Sequence, residues 1–300
     1  MSEIQQNTDP VIGIIGLGLI GGSIAKDLHE AADQPRVVAF DTETQALDDA
    51  LKSGHIHESL SIAQIARIAT TMVIAAPIDH VASIGLEIRD ELRELSEDTD
   101  RLGRKLVIDV ASVKKPVSTV FSLLTSDSVD FVATHPMAGT EFTGFGHARK
   151  GLFRAKPWII CPHENNSESA VAQTESFVEQ FGPHIRVMDA DLHDREAAVV
   201  SHSIIALSNL IFEFISLKHP DALELAGDGF NSTTRLASGN PEMHASIVRA
   251  NRGFVFQYLD EFRDFIDQRL DELRFEKDLQ PFFENNMVMR NDWLRNKKNT

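Results

Sequence analysis

Short apolar runs separated by longer segments of helical periodicity fill the first half of the chain. Strands are expected at 11–15, 36–40, 71–75, 105–109, 131–134 and 158–161, with 185–188 extending the sheet edge. Helices are expected between them at 22–32, 44–53, 62–68, 80–95 and 117–124. Strands alternating with helices predict a mostly parallel sheet crossed over by helices. After Asp189 the pattern changes. Residues 195–217 are apolar almost all round, as in a helix enclosed by other protein. Residues 254–273 place Phe254, Tyr258, Phe262 and Ile266 at steps of four, with Leu259, Leu270 and Leu273 near the same stripe. The expected organisation is an α/β domain over residues 1–189 followed by an all-α domain over 190–300. Helices this apolar in so small a domain point to a homodimer packed through them.

Composition narrows the function classes. With 300 residues, 42% of them hydrophobic, the chain can build two modest cores. Its net charge of −16 repels polyanions, so neither nucleic acid nor an acidic membrane is an expected partner. The single cysteine, Cys161, lies in the apolar run Trp158-Ile-Ile-Cys-Pro162 and is read as a packed core residue in a reducing compartment. The segment 1–10 is polar and carries no leader pattern, and no uninterrupted apolar run reaches membrane-spanning length. A cytoplasmic, untargeted protein is expected. The tail 276–300 is polar and mixed in charge, and no function is assigned to it.

The first chemistry lies in Gly16-Leu-Gly-Leu-Ile-Gly21, directly after a strand and directly before a helix. Gly16 permits the tight turn, Gly18 the approach of a pyrophosphate, and Gly21 close helix packing, while the amides of Leu19 and Ile20 face the phosphates. The second strand runs into Asp41, where a carboxylate accepts hydrogen bonds from a ribose. A 2′-phosphate would meet Asp41 and Glu43, with no Lys or Arg nearby before Lys52, so the expected cofactor is NAD and not NADP.

Ligands of such sheets bind beyond the carboxyl ends of the strands. Ala75, Ala76 and Pro77 end the third strand and leave room for a nicotinamide ring; Asp109-Val-Ala-Ser-Val-Lys114 follows the fourth, and His135 the fifth. The plainer reading of Ser112 is a helix N-cap. His135 is either a strand-end residue bonded to backbone or the base that takes a hydroxyl proton as its carbon gives up hydride. Pro136 and the turns at Gly139 and Gly144, which let a loop fold over a ligand, favour the second.

Four blocks now stand in order: Gly16-Leu-Gly-Leu-Ile-Gly-Gly-Ser23, Asp109-Val-Ala-Ser-Val-Lys114, His135-Pro-Met-Ala-Gly-Thr-Glu141 and Gly229-Phe-Asn-Ser-Thr-Thr-Arg235. Together they resemble the prephenate/arogenate dehydrogenase family. The resemblance implies a Rossmann domain followed by a helical dimerisation domain, and NAD-dependent oxidative decarboxylation of prephenate, of arogenate or of 4-amino-4-deoxyprephenate. It implies that His135 bonds the C4 substituent with help from Ser112, that Arg235 holds the side-chain carboxylate, and that Thr140 and Glu141 line the entrance. The chain departs from the family at three places around one pocket: Ile205 replaces the second histidine of a Ser-His-Leu-Pro-His run, Ser232 an acid, and His244 a tryptophan. His202 survives in that run, as a core histidine first and a candidate substrate contact second. The departures put substrate choice and tyrosine feedback in question. By the same comparison neither a mutase segment nor a regulatory domain is expected.

Rival readings are weaker. A β-hydroxyacid dehydrogenase needs a lysine in the first long helix of its second domain, and none occurs between Lys156 and Lys218. A pyrroline carboxylate reductase would favour NADPH and lacks the histidine–proline loop. A non-catalytic NAD-binding dimer would bind nucleotide without turnover. His55-x-His57 lacks a third ligand, so no metal site is expected. The basic cluster Arg149, Lys150, Arg154 and Lys156 could draw in a dianionic substrate, and a solvated face is the plainer reading.

Overall fold

In the computed structural model, residues 10–94, 104–139 and 142–298 are described. Eight strands form one sheet in the order β3-β2-β1-β4-β5-β6-β7-β8. They are β1 (Val11–Ile15), β2 (Arg36–Phe40), β3 (Glu58–Ser59), β4 (Thr71–Ile74), β5 (Lys105–Asp109), β6 (Val129–Pro136), β7 (Pro157–Cys161) and β8 (His184–Val187). Neighbours run parallel except β6 and β7, which pair antiparallel with His135 opposite Ile159. The strand order reverses between β1 and β4, the place where an open sheet of this kind leaves a crevice at its carboxyl edge.

Helices α1 (Leu19–His29), α2 (Thr44–Lys52), α3 (Ile62–Ile68), α4 (Ile78–Glu94), α5 (Lys115–Leu124) and α6 (Glu168–Glu179) cover the sheet. Two apolar clusters fill the layers. One joins Ile14, Ile24, Val73 and Trp158; the other joins Ile15, Ile65, Phe121 and Phe131. The central strands are buried on both faces, which is why they read as continuous Val/Ile runs without alternation. Strand β3 and helix α6 have no counterpart in the sequence reading. Two residues are too few for a pattern, and α6 alternates Glu, Gln and Ser with only four buried side chains. Cys161 is fully buried in β7, and burial pushes its thiol up to about 12, leaving it unreactive.

The remainder is helical: α7 (Ala190–Ala197), α8 (Ser203–Lys218), α9 (Asp228–Thr234), α10 (Pro241–Ala250), α11 (Arg252–Phe275) and α12 (Gln280–Lys298). A π-helical turn, Ala198–His202, joins α7 to α8. Two expectations need correction here. The helix from Ala190 to Lys218 has 29 residues, and an 18-residue window within it has a mean hydropathy of 1.7, so by length and composition alone it is apolar enough to cross a membrane. Polar residues interrupt it, and no uninterrupted apolar run in it reaches that length. Nor does one chain enclose it, since Leu210, Ile211, Phe212, Phe214 and Leu217 are exposed. On α11, Ile266 and Leu270 of the expected stripe are exposed too. The tail read as plain polar sequence contains α12, whose Phe283, Met287, Met289 and Trp293 face outward.

Candidate active site

Three strand ends build the site. At the first, Gly16 follows β1 with φ +103°, and a Cβ there would lie 2.5 Å from the Ala75 carbonyl oxygen. Only glycine fits. A Cβ on Gly21 would lie 1.9 Å from the Gly16 oxygen, so α1 sits directly on the turn. Gly18 is different, for a Cβ there meets nothing within 4 Å. Nothing in the protein demands a glycine at 18; it leaves open space in front of the first turn of α1. No side chain caps that turn, where Leu19 and Ile20 lie, and the unpaired amides of a helix start favour an anion. Asp41, just past β2, accepts from the Leu17 and Glu43 amides, which ties its carboxylate to the glycine turn. Open space, uncapped amides and a fixed carboxylate fit a dinucleotide with a free ribose. Ala75, Ala76 and Pro77 connect β4 to α4 beside it and offer only small side chains.

The ends of β5, β6 and β7 are tied by a buried polar knot. Lys114 and Asp109 have fully buried side chains, and the Lys114 ammonium donates to the Asp109 carboxylate and, at 2.7 Å, to the Thr134 carbonyl. Asp109 also accepts the amides of Ala111 at 2.8 Å and Thr134 at 2.9 Å. The Thr134 hydroxyl donates to the Asp109 carbonyl and accepts from the Trp158 indole at 3.0 Å. The loop carrying Ser112 and the strand carrying His135 are thereby held to one another.

Ser112 sits half-buried in a bend and does not cap a helix. Helix α5 starts at Lys115, and its first amides are satisfied from the helical region: the Asp194 carboxylate accepts from the Lys114 amide at 2.6 Å and the Lys115 amide at 2.8 Å. A carboxylate from another helix has taken the place a local serine was expected to fill.

His135 is 7% exposed. Its Nδ1 lies 2.9 Å from His193 Nε2, and His193 Nδ1 lies 2.8 Å from Asp194 Oδ1. The ring is thus bonded to a second imidazole, not to backbone. Burial, then the neighbouring His193, Lys114 and His202, holds the His135 imidazole well below the usual histidine range. A neutral ring with a lone pair at pH 7 follows. His193, Asp194, the Lys114 side chain and Asn251 are members of this group that sequence reasoning missed. The adjacent His193-Asp194 pair just after β8 was the available signal.

His202 ends the π-helical turn. Its Nδ1 lies 3.0 Å from the Asn251 side-chain amide, which donates to the Asp194 carbonyl at 2.7 Å; its Nε2 is buried without a partner. Burial lowers its pKa to about 4. Below pH 6.5 the unfolded chain therefore takes up a proton that the folded chain refuses until about pH 4. Stability should fall with pH across that window, by about 3 kcal/mol from this residue. In His202→Leu the acid limb of the melting-temperature profile should flatten; an unchanged limb would mean the ring is hydrated.

The other expected site residues are less gathered. Thr140 and Glu141 lie outside the described residues. Arg235 is exposed at the end of α9, in the helical region, and not in the buried group around His135. Of the three family departures, Ile205 is buried, Ser232 is exposed, and the His244 ring packs on Gly239, where an added Cβ would lie 2.3 Å from its Cε1. The Arg149, Lys150, Arg154 and Lys156 side chains are exposed, with Lys150 paired to Glu30. Among the described residues no group of three metal-ligating side chains gathers. A cavity of about 430 Å³ opens between α8 and α9, lined by Phe212, Asp228, Phe230 and Thr234, and none of the strand-end residues borders it.

Comparison with known proteins bears on the whole chain. Residues 24–187 match the family described as prephenate dehydrogenase, nucleotide-binding domain, and residues 189–287 its dimerization domain. A prephenate dehydrogenase of Bacillus subtilis is 28% identical over 269 residues, spanning 88% of this chain and 70% of that protein. The solved prephenate dehydrogenase of A. aeolicus, in complex with hydroxyphenyl propionate and NAD+, superposes with a TM-score of 0.83 at 24% identity, over 94% of this chain and 98% of the other. The arogenate dehydrogenase of Synechocystis gives 0.72 at 26%, over 94% and 99%. With the glycine turn, the parallel sheet and the helical second half all present, the chain belongs to the prephenate dehydrogenase family and is an NAD-dependent oxidoreductase.

Proposed function

We propose that this protein carries out the oxidative decarboxylation of prephenate. The substrate loses hydride from C4 and its ring carboxylate as carbon dioxide, and 4-hydroxyphenylpyruvate remains. Bound NAD supplies the hydride acceptor. The observation that carries the reading is His135, a buried neutral imidazole held at the end of β6, on the carboxyl side of the parallel strands.

The proton balance gives that histidine its task. Hydride and carbon dioxide leave, and the hydroxyl hydrogen ends on the product phenol, so no proton is released overall. His135 takes the hydroxyl proton as the C4–H electron pair departs and returns it to the ring oxygen as the ring becomes aromatic. Ser112, on the loop tied to β6, orients the same hydroxyl. Arg235 pairs with the side-chain carboxylate, as a guanidinium does in bidentate fashion, with Thr140, Glu141 and His202 as further contacts. Gly16, Gly18, Leu19, Ile20 and Gly21 receive the pyrophosphate, Asp41 the ribose, and Ala76 and Pro77 the nicotinamide.

The chain divides into a nucleotide domain, 1–189, and a helical domain, 190–300, and works as a homodimer in the cytoplasm. Support for the dimer is the apolar surface left open on α8, α11 and α12, together with the dimerization-domain match. A second reading keeps the chemistry and changes the substrate. The structural likeness to an arogenate dehydrogenase and the altered positions Ile205, Ser232 and His244 favour testing it. NADH formation measured in parallel with prephenate, arogenate and 4-amino-4-deoxyprephenate decides. Prephenate should be turned over with a kcat/KM at least about tenfold above the others, equal to a barrier difference of about 1.4 kcal/mol. Preference for another substrate would reassign the pathway, and turnover of none would leave an NAD-binding protein of other function.

A further inference from the structure

We propose that His193 and Asp194 form with His135 a hydrogen-bonded chain that decides which nitrogen of His135 is the base and shares the charge it acquires. The inference rests on the proposed hydride transfer and adds two positioning residues to it.

The direction of the chain follows from donor counting. Asp194 accepts two backbone amides, from Lys114 and Lys115, and these can only donate. As a carboxylate it can only accept, so the proton of its contact with His193 sits on His193 Nδ1. In its neutral form His193 is left with a lone pair on Nε2. That lone pair faces His135 Nδ1, which must carry the proton between them. A neutral imidazole has one N–H, so His135 Nε2 is bare. With Asp194 a carboxylate and both rings neutral, the three contacts allow one tautomer, and the base is Nε2.

The same chain acts in the transition state. When Nε2 takes the hydroxyl proton, His135 becomes an imidazolium whose Nδ1–H already points at an acceptor backed by a carboxylate. Besides burial, the groups facing the ring that oppose its protonation are His193 when it carries charge, the Lys114 ammonium, itself paired with Asp109, and the His202 ring. The Asp194 carboxylate, reaching His135 through His193, is the counterweight. His193 and Asp194 are almost wholly buried, so water does not screen them. Asn251 holds the Asp194 carbonyl and the His202 ring, which keeps the chain anchored in the helical region while His135 sits in the sheet.

Nitrogen NMR of protein labelled with 15N-histidine reads the tautomer directly and needs no substrate. Loss of one resonance set in His135→Asn assigns it. His135 should carry its proton on Nδ1 at pH 7.5, and a proton on Nε2 overturns the proposal whatever the enzyme turns over. In His193→Phe, which keeps the ring and removes the acceptor, kcat should fall about 100-fold, while KM for the cyclohexadienyl substrate and the Kd of NAD stay within about twofold. His193→Gln can place an oxygen near Nδ1 and should recover about tenfold of that loss. Equal losses in kcat and NAD affinity, or no recovery with glutamine, would reduce His193 to a packing residue. Failure of the hydride-transfer reading looks different: His135→Asn would then keep full turnover while the tautomer stood as assigned.

Discussion

With NAD and prephenate both saturating, His135→Asn should turn over about a thousand times more slowly than the native enzyme while binding NAD as tightly. Asparagine is chosen because its amide N–H replaces the Nδ1–H that meets His193, so the buried contact at 2.9 Å survives and only the Nε2 lone pair is lost. The ring is 7% exposed, so solvent offers no ready substitute base. The pH profile of the native enzyme carries the same information. Burial lowers the His135 pKa below 6.5, so the base stays unprotonated as pH falls through 6.5, and the acid limb of kcat should lie below that value. A variant with native turnover, measured as NADH formation, would remove His135 from the chemistry and leave a nucleotide-binding dimer.

What the sequence made legible divides by distance along the chain. The glycine turn and the strand ends that carry Asp41 and His135 could be read because each position is set by neighbours within a few residues: a strand before, a turn or helix after. Gly16 and Gly21 report a backbone crowding that no other residue tolerates. Ser112 misled for the same reason. Its cap reading was a local rule, and the helix start it was assigned to is satisfied by Asp194, about eighty residues away. His193 escaped because the adjacent His-Asp pair, the one local signal, takes its meaning from a contact to β6, 58 positions earlier. The helical region failed differently. Residues 195–217 read as a helix enclosed by other protein, but periodicity does not tell whether the covering surface comes from the same chain. In one chain it does not, and the apolar faces of α8, α11 and α12 stay open.

Lys114→Met is the substitution expected to cost most stability. The ammonium is fully buried between the Asp109 carboxylate and the Thr134 carbonyl, and methionine has nearly its length with neither charge nor donor. Asp109 would keep two amide donors, from Ala111 and Thr134, but lose its counter-charge inside the core. Breaking one side of a buried pair in this way costs about 3–5 kcal/mol, far more than the pair contributes relative to a neutral replacement. The double variant Asp109→Asn, Lys114→Met should therefore recover more than half of the loss, because asparagine still offers an oxygen to the amides without bringing a charge. Urea unfolding of the three proteins at one protein concentration measures both numbers. Activity adds a second reading. The pair ties the loop holding Ser112 to the strand holding His135, so the double variant should regain stability without regaining its full kcat. A single variant losing less than about 1 kcal/mol would mean that water or a shifted side chain replaces the ammonium, and that the knot at the strand ends is not what positions His135.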